Sequence, residues 1–389
     1  MKLALTILGC VVFLLTDPTP GQSDKPTVFR GDQQHSGVYQ TSGVERFTGI
    51  RWKFPAGSPI RSTPAVVDNR VYFGNREGVF YALNAETGKL EWQFRTSGRI
   101  TSSPAVFKDR VYFVSADTHL YSLKAADGTL QWKLKIDPDR AERFNWDFYL
   151  SSPVLDSETL YVGSGNKKVF AVDIKTGQAK WTFETAGVVR SSPAVFAGTV
   201  YAGCFEGYFY AIESKTGKLR WKFKTAGNPD FPKGEVQSSP AVARGLVFFG
   251  SRDYHLYALE TRSGKLRWKS HDPNSWVSSS PAVRDGTVYV GGSDSHKFYA
   301  LEAKTGAKKW EFAAPSNILA SPAIAGQTVY FGSGNGYGPE ESGYLFAVNL
   351  QTGQEKWQLK VERNIFSSPV VQSGVVYFGS DDGHLYAVH

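Results

Sequence analysis

Cysteine is almost missing from this chain: its 389 residues hold two, Cys10 and Cys204. Cys10 falls in a leader-like stretch, so Cys204 is expected to stand alone in the mature protein. That excludes an internal disulfide, and no Cys-x-x-Cys-His haem-attachment site exists. Cys204 follows a strand-like run and reads as a small buried hydrophobe. Gly-x-Ser-x-Gly, His-Glu-x-x-His and P-loop patterns are lacking too, which removes the usual hydrolase, metalloprotease and nucleotide-binding signatures. The apolar run MKLALTILGCVVFLL at residues 1–15 is too short to span a bilayer comfortably. It is expected to be a secretory signal peptide covering residues 1–21, with cleavage after Gly21. Two readings compete with it: a lipoprotein cleavage box at Ile7-Leu8-Gly9-Cys10, although the apolar run continues to Leu15, and an uncleaved anchor. The mature chain is expected to carry no transmembrane span. It is expected in the periplasm or at the outer-membrane periphery of a Gram-negative host, and otherwise secreted.

Charge of one sign is not concentrated anywhere. Lys and Arg total 44 against 36 Asp and Glu, a net charge of +8. The basic residues are scattered beside tryptophans, as in Leu219-Arg220-Trp221-Lys222-Phe223-Lys224. Strand alternation puts the aromatics on one face and the cations on the other. The basicity therefore reads as a solvated rim that discourages edge-to-edge pairing, not as a nucleic-acid surface.

What the chain does have is a repeat. A Ser/Thr-Pro pair recurs at Pro64, Pro104, Pro153, Pro193, Pro240, Pro281, Pro322 and Pro369. Trp92, Trp132, Trp181, Trp221, Trp268, Trp310 and Trp357 follow the first seven, and Trp52 precedes the first. The period is 40–49 residues, and each unit reads as four short strands separated by Asp/Gly turns. Such a meander is apolar on both faces and must stack on copies of itself, so the fold class expected is all-β, an eight-bladed β-propeller. The last unit has only three strands before the chain ends. Ile50-Arg51-Trp52-Lys53-Phe54 supplies the fourth, closing the ring by pairing the two ends. Residues 22–46 then form an N-terminal extension, and 47–389 the propeller.

The turn before each fourth strand is Thr-Gly-x-x-x-Trp or a close variant, clearest in Ala171-Val172-Asp173-Ile174-Lys175-Thr176-Gly177…Trp181. Glycine takes the positive φ of such a turn at low cost, and the fixed spacing aims each indole at the same place between blades. This motif resembles the tryptophan-docking motif of pyrroloquinoline-quinone (PQQ) enzyme repeats, over about 340 residues and seven full motifs. The resemblance implies structural docking roles for the eight repeat tryptophans. It also implies kinship with quinoprotein alcohol dehydrogenases and with the outer-membrane assembly lipoprotein BamB. WD40 and kelch signatures are absent.

Function is expected where the repeat breaks. Three insertions stand out: 137–147 around Trp146, 228–235 around Phe231, and 334–343 around Tyr337. In an up-down meander all three open on one face, with the Thr-Gly turns on the other. Two residues before the prolines a serine stands in seven of eight units, which suggests hydroxyls bonding local backbone near the axis. One step further back the residues vary: Arg61, Thr101, Leu150, Arg190, Gln237, Ser278, Leu319 and Phe366. This ring is the candidate binding surface. Arg61 and Arg190 suit a carboxylate or phosphate, and Gln237 joins them at the channel mouth. Trp276 and Trp146, outside the repeat, suit either stacking on a planar ligand or loop anchoring.

Family dehydrogenases add a pair of adjacent cysteines over the quinone and larger insertions; this chain has neither. Asp253, Asp294, Asp381 and Asp382 fall in tight turns, where Asp bonds its own backbone, and no carboxylate set is assigned as a catalytic or metal site. The expected function is a non-catalytic, monomeric, exported propeller that holds an envelope protein on its insertion-bearing face, with no cofactor. The alternative is a small PQQ- and calcium-dependent dehydrogenase acting on alcohols or sugars.

Overall fold

A computed structural model describes residues 26–137, 150–272, 274–335 and 342–389. The signal-peptide segment with Cys10, and Trp146 and Tyr337, lie outside the described residues. Those described form eight four-stranded antiparallel sheets and no helix. Blades 1 to 7 span 65–95, 105–135, 154–184, 194–224, 241–271, 282–313 and 323–361. Blade 8 joins three C-terminal strands (370–388) to Ile50–Pro55, which pairs antiparallel with His384–Val388. The ring is thus closed by the two ends of the repeat, as its missing eighth tryptophan implied.

Each blade begins on a three-residue strand at the axis and ends on an outer strand whose residues alternate between exposed and half-buried. The inner strands are short because they converge on the axis. Lys and Arg fill the exposed outer positions, and Trp and Phe face the next blade. Cys204 is fully buried. Neighbouring blades stack aromatic on aromatic, Phe80 on Phe113 at 4.1 Å and Phe209 on Phe249 at 4.0 Å.

Tryptophan docking is the repeated joint. In seven of the eight docking tryptophans the indole N–H reaches across to the next blade and donates to the carbonyl that follows its third strand. Trp52 bonds Ala85 and Trp92 bonds Ala125, each at 3.0 Å, and the pattern runs on through Trp132, Trp181, Trp221, Trp268 and Trp310. The glycine of that next blade's turn closes over the ring. Gly177 has φ +72°, and a Cβ there would stand 2.6 Å from Trp132. Only glycine satisfies both demands.

Trp357 has no such turn ahead of it, because blade 8 lacks the connection between its third and fourth strands. Its indole instead donates to the Val44 carbonyl at 2.8 Å, which also accepts from Tyr330 at 3.1 Å. Val44 belongs to the N-terminal extension, and the rest of that segment runs through the channel. Thr27 bridges Val106 of blade 2, Gln33 accepts from Val195, Gln34 from Val242, Ser36 from Val283 and Gly37 from Ile324. These are amide groups on the inner edges of blades 2, 4, 5, 6 and 7, which would otherwise be unpaired strand edges. Arg30 lies buried at the axis and donates to the carbonyls of Pro322 (2.6 Å) and Pro281 (2.7 Å).

His35 is wholly buried beside Arg30, its ring edge-on to Phe29 at 5.6 Å. Burial, and then the Arg30 charge, push its imidazole down from the usual 6.5 to about 3. The unfolded chain therefore binds a proton that the folded chain refuses between those values. The contribution is complete above pH 6.5 and declines as pH falls, by ~1.4 kcal/mol per unit until about pH 3. His35→Leu should flatten this acid branch. The check is the urea midpoint at pH 7 and pH 5: the gap between them should shrink in the variant.

Candidate functional site

Linkers between blades hydrogen-bond the turn between the second and third strands of the blade they enter, as Ala116 N–H to Arg99 (2.9 Å) and Arg252 N–H to Glu235 (3.0 Å). Linkers and those turns thus share one face, the face on which the insertions were expected. Of the three insertions only 228–235 is wholly described.

On this face the axis opens as a shallow cup. All eight residues of the variable ring line it, and below them lies a second ring, the Ser or Thr immediately before each proline. Phe29 of the extension forms its floor. The second ring is a closed belt. Thr63 N–H donates to Ser103 Oγ (3.2 Å), Ser103 to Ser152, Ser152 to Ser192, and so on through Ser239, Ser280 and Ser321 to Ser368. Ser368 N–H returns to Thr63 Oγ1 at 3.2 Å. The serines one step earlier do bond backbone: Ser102 Oγ accepts from Val114 N–H (2.8 Å), and Ser151 Oγ accepts from Gly163 N–H and donates to Ser191 O.

The structure brings Arg61, Arg190 and Gln237 together in the cup and gives each a neighbour. Arg61 is buried under Phe366, its guanidinium 4.5 Å from the ring centre, and grips Asp381 through two bonds of 2.9 and 2.6 Å. Asp381, which the sequence suggested was only a turn residue, is therefore the counter-charge to Arg61. Arg190, also buried, faces Asp137 across Gly165, whose absent Cβ would be 3.3 Å from each. Burial raises the Asp137 carboxyl above its ordinary range, partly offset by the Asn166 amide and by Arg190.

Gln237 leads outward from the cup. Its Oε1 accepts from Arg252 at 2.6 Å, and the Arg252 guanidinium lies between Phe205 (5.1 Å) and Trp276 (4.7 Å). Phe231, from the insertion, packs edge-on against Trp276 at 5.1 Å. Trp276 is thus anchored and half-exposed at once. Arg252 is the residue that sequence reading missed; it sits in an ordinary turn, and nothing in the repeat marks it. Asp253 beside it is fully buried. Its carboxyl is lifted by burial but brought below the ordinary range by bonds from His255, Tyr257 and Ser251. Among the described residues no three His, Cys, Asp or Glu side chains converge as metal ligands would.

A ring of eight blades, closed by a split blade and jointed by docked tryptophans over a polar axial cup, defines the PQQ-repeat class of β-propeller. Residues 149–389 match the family described as the β-propeller of the beta-alanine-activating enzyme, and the chain belongs to that family. Residues 43–207 match the model described as outer membrane protein assembly factor BamB. No curated protein sequence matches the chain.

Among solved structures it is similar to BamB from Moraxella catarrhalis (TM-score 0.69, 18% identity, covering 88% of this chain and 97% of that one). It is similar also to a europium-containing methanol dehydrogenase (0.76, 15%, 93% and 91%). A third is the quinohemoprotein alcohol dehydrogenase of Comamonas testosteroni (0.76, 14%, 95% and 81%). At these identities the likeness is one of fold.

Proposed function

We propose that this protein is a binding propeller of the cell envelope, related in use to BamB, that docks a protein partner on its linker face. The observation that carries the reading is the state of the axis. The cup encloses about 50 Å³ above Phe29, room for a water or two, whereas small-molecule sites run to roughly 300–1,000 Å³. A tricyclic quinone bearing three carboxylates does not fit that space. The two buried arginines that line it already face Asp381 and Asp137. The linker face, by contrast, presents Trp276 and Phe231, both half-buried, over the buried Arg252 guanidinium, and aromatics held in this way are the make-up of an interface anchor. Export through the leader at residues 1–21 belongs to the same proposal and predicts a mature N-terminus at Gln22.

The test has two arms. Purified protein with PQQ and Ca²⁺ should give neither saturable binding nor dye-linked oxidation of alcohols or sugars; saturable binding with turnover would establish the dehydrogenase reading instead. Affinity capture from envelope extracts should retain a partner whose recovery falls with Trp276→Ala. A loss of about 2 kcal/mol, roughly thirtyfold in Kd, is expected of a buried aromatic anchor. A partner held equally by the wild type and by Trp276→Ala, Arg61→Ala and Arg190→Ala would place docking elsewhere.

A further inference from the structure

The outer strands share a second regularity. Two residues after each docking tryptophan stands Phe54, Phe94, Leu134, Phe183, Phe223, Phe312 or Leu359, but in blade 5 the residue is Ser270. Where it is Phe, the ring packs on the third-strand aromatic of the following blade. Phe54 meets Tyr81 at 5.5 Å, Phe94 meets Tyr121 at 5.8 Å, Phe183 meets Tyr210 at 5.4 Å, Phe223 meets Tyr257 at 5.6 Å and Phe312 meets Phe346 at 5.2 Å. The aromatic that Ser270 leaves uncovered is Tyr299. It is half-buried, while its counterparts in the other blades are buried.

The result is a cleft of about 280 Å³ between blades 5 and 6. Leu256, Val290 and Leu301 line it, and Tyr299 is fixed in its wall by a 2.8 Å bond to Asp272. The second Asp272 oxygen accepts from Ser295 at 2.7 Å, so both oxygens of that carboxylate are engaged. Lys297 and Lys308 also line the cleft at its exposed rim, sharing the Glu311 carboxylate at 3.3 and 2.6 Å, so the rim holds two ammoniums to one carboxylate, while the buried Asp272 carboxylate brings the cleft as a whole to neutrality.

We propose that this cleft is a binding site for a small molecule with one aromatic ring and an acidic substituent. The ring takes the place of the phenyl group that blade 5 lacks, stacking on Tyr299 over an aliphatic floor. The acid lies toward Lys297 and Lys308. The cleft shares no lining residue with the axial cup.

The probe is 3-phenylpropionate, titrated by calorimetry and by ligand-observed NMR into the wild type and three variants. Ser270→Phe and Ser270→Leu restore what the other blades carry, so both should fold and melt higher than the wild type. Saturable wild-type binding is expected, with a Kd of about 0.1–1 mM for a ligand of this size. It should weaken by about tenfold or more in Ser270→Phe, where the ring's place is filled. Lys308→Ala should weaken 3-phenylpropionate while leaving benzyl alcohol unchanged. Absence of saturable wild-type binding, or binding undiminished in Ser270→Phe, overturns the site. Phenethylamine binding more tightly than the acid overturns the assignment of an acidic substituent.

Discussion

Deleting residues 47–55 should abolish the folded propeller instead of trimming it. The deleted stretch contains the fourth strand of blade 8, and its loss exposes the hydrogen-bonding edge of His384–Val388. It also removes Trp52, which docks on Ala85 and packs against Tyr377, and Phe54, which packs on Tyr81. Truncating a fully buried aromatic costs ~3–5 kcal/mol, and Trp52 and Phe54, each half-buried, fall at or below the low end of that range. Two such losses plus a five-residue ladder approach the whole stability of an ordinary domain, about 5–15 kcal/mol. The deletion protein should be insoluble or melt without a cooperative transition by circular dichroism, and Trp52→Ala alone should show a loss of ~3 kcal/mol in urea. A deletion protein that melts at the wild-type temperature would mean that blade 8 closes without this strand.

Arg30→Ala should have the next largest effect, although Arg30 lies outside every blade. Its guanidinium is fully buried, and burial lowers its pKa only to about 10, so it stays charged at neutral pH. Hydrogen bonds to a charged group contribute ~1.5–3 kcal/mol each, and Arg30 makes two, to Pro281 and Pro322. Removing it also leaves two buried carbonyls unsatisfied. A total loss of ~3–5 kcal/mol is expected in equilibrium unfolding. Limited proteolysis should then cut residues 26–46 while the blades resist. An unchanged unfolding midpoint and an uncut extension would show that the backbone bridges to Val106, Val195, Val242, Val283 and Ile324 hold the plug unaided.

These two predictions differ in how far the sequence foretold them. The split blade was legible because Trp52 had to belong somewhere, and strand alternation marks Ile50–Phe54 as an outer strand. The plug was not. Residues 26–46 have no period, and they attach mainly through backbone groups, which leave no side-chain signature. The variable ring before the prolines was expected at the channel mouth as a binding surface, and the regular spacing does carry Arg61, Arg190 and Gln237 to one cup. Their partners were not legible. Asp381 lies 320 residues from Arg61 in sequence and looks like any turn aspartate, while Arg252 and Trp276 meet where the linker leaving blade 5 bonds that blade's own turn, Val277 N–H to Ser251 at 3.2 Å. Ser270 is the opposite case. It breaks a Trp-x-Phe/Leu rule that holds in the seven other blades, so the signal for the cleft was present all along the outer strands.

The belt of Ser and Thr hydroxyls has a consequence for how the molecule comes apart. A row of similar modules, each touching only its neighbours, can fray from either end and unfold stepwise. Here the N–H of each blade is tied to the hydroxyl of the next, and the last tie runs from Ser368 back to Thr63. A chain with seven blades in place cannot complete that circuit. The two ties that the last blade makes therefore form only when the ring closes, a cooperative final step that should make folding of this repetitive chain all-or-none.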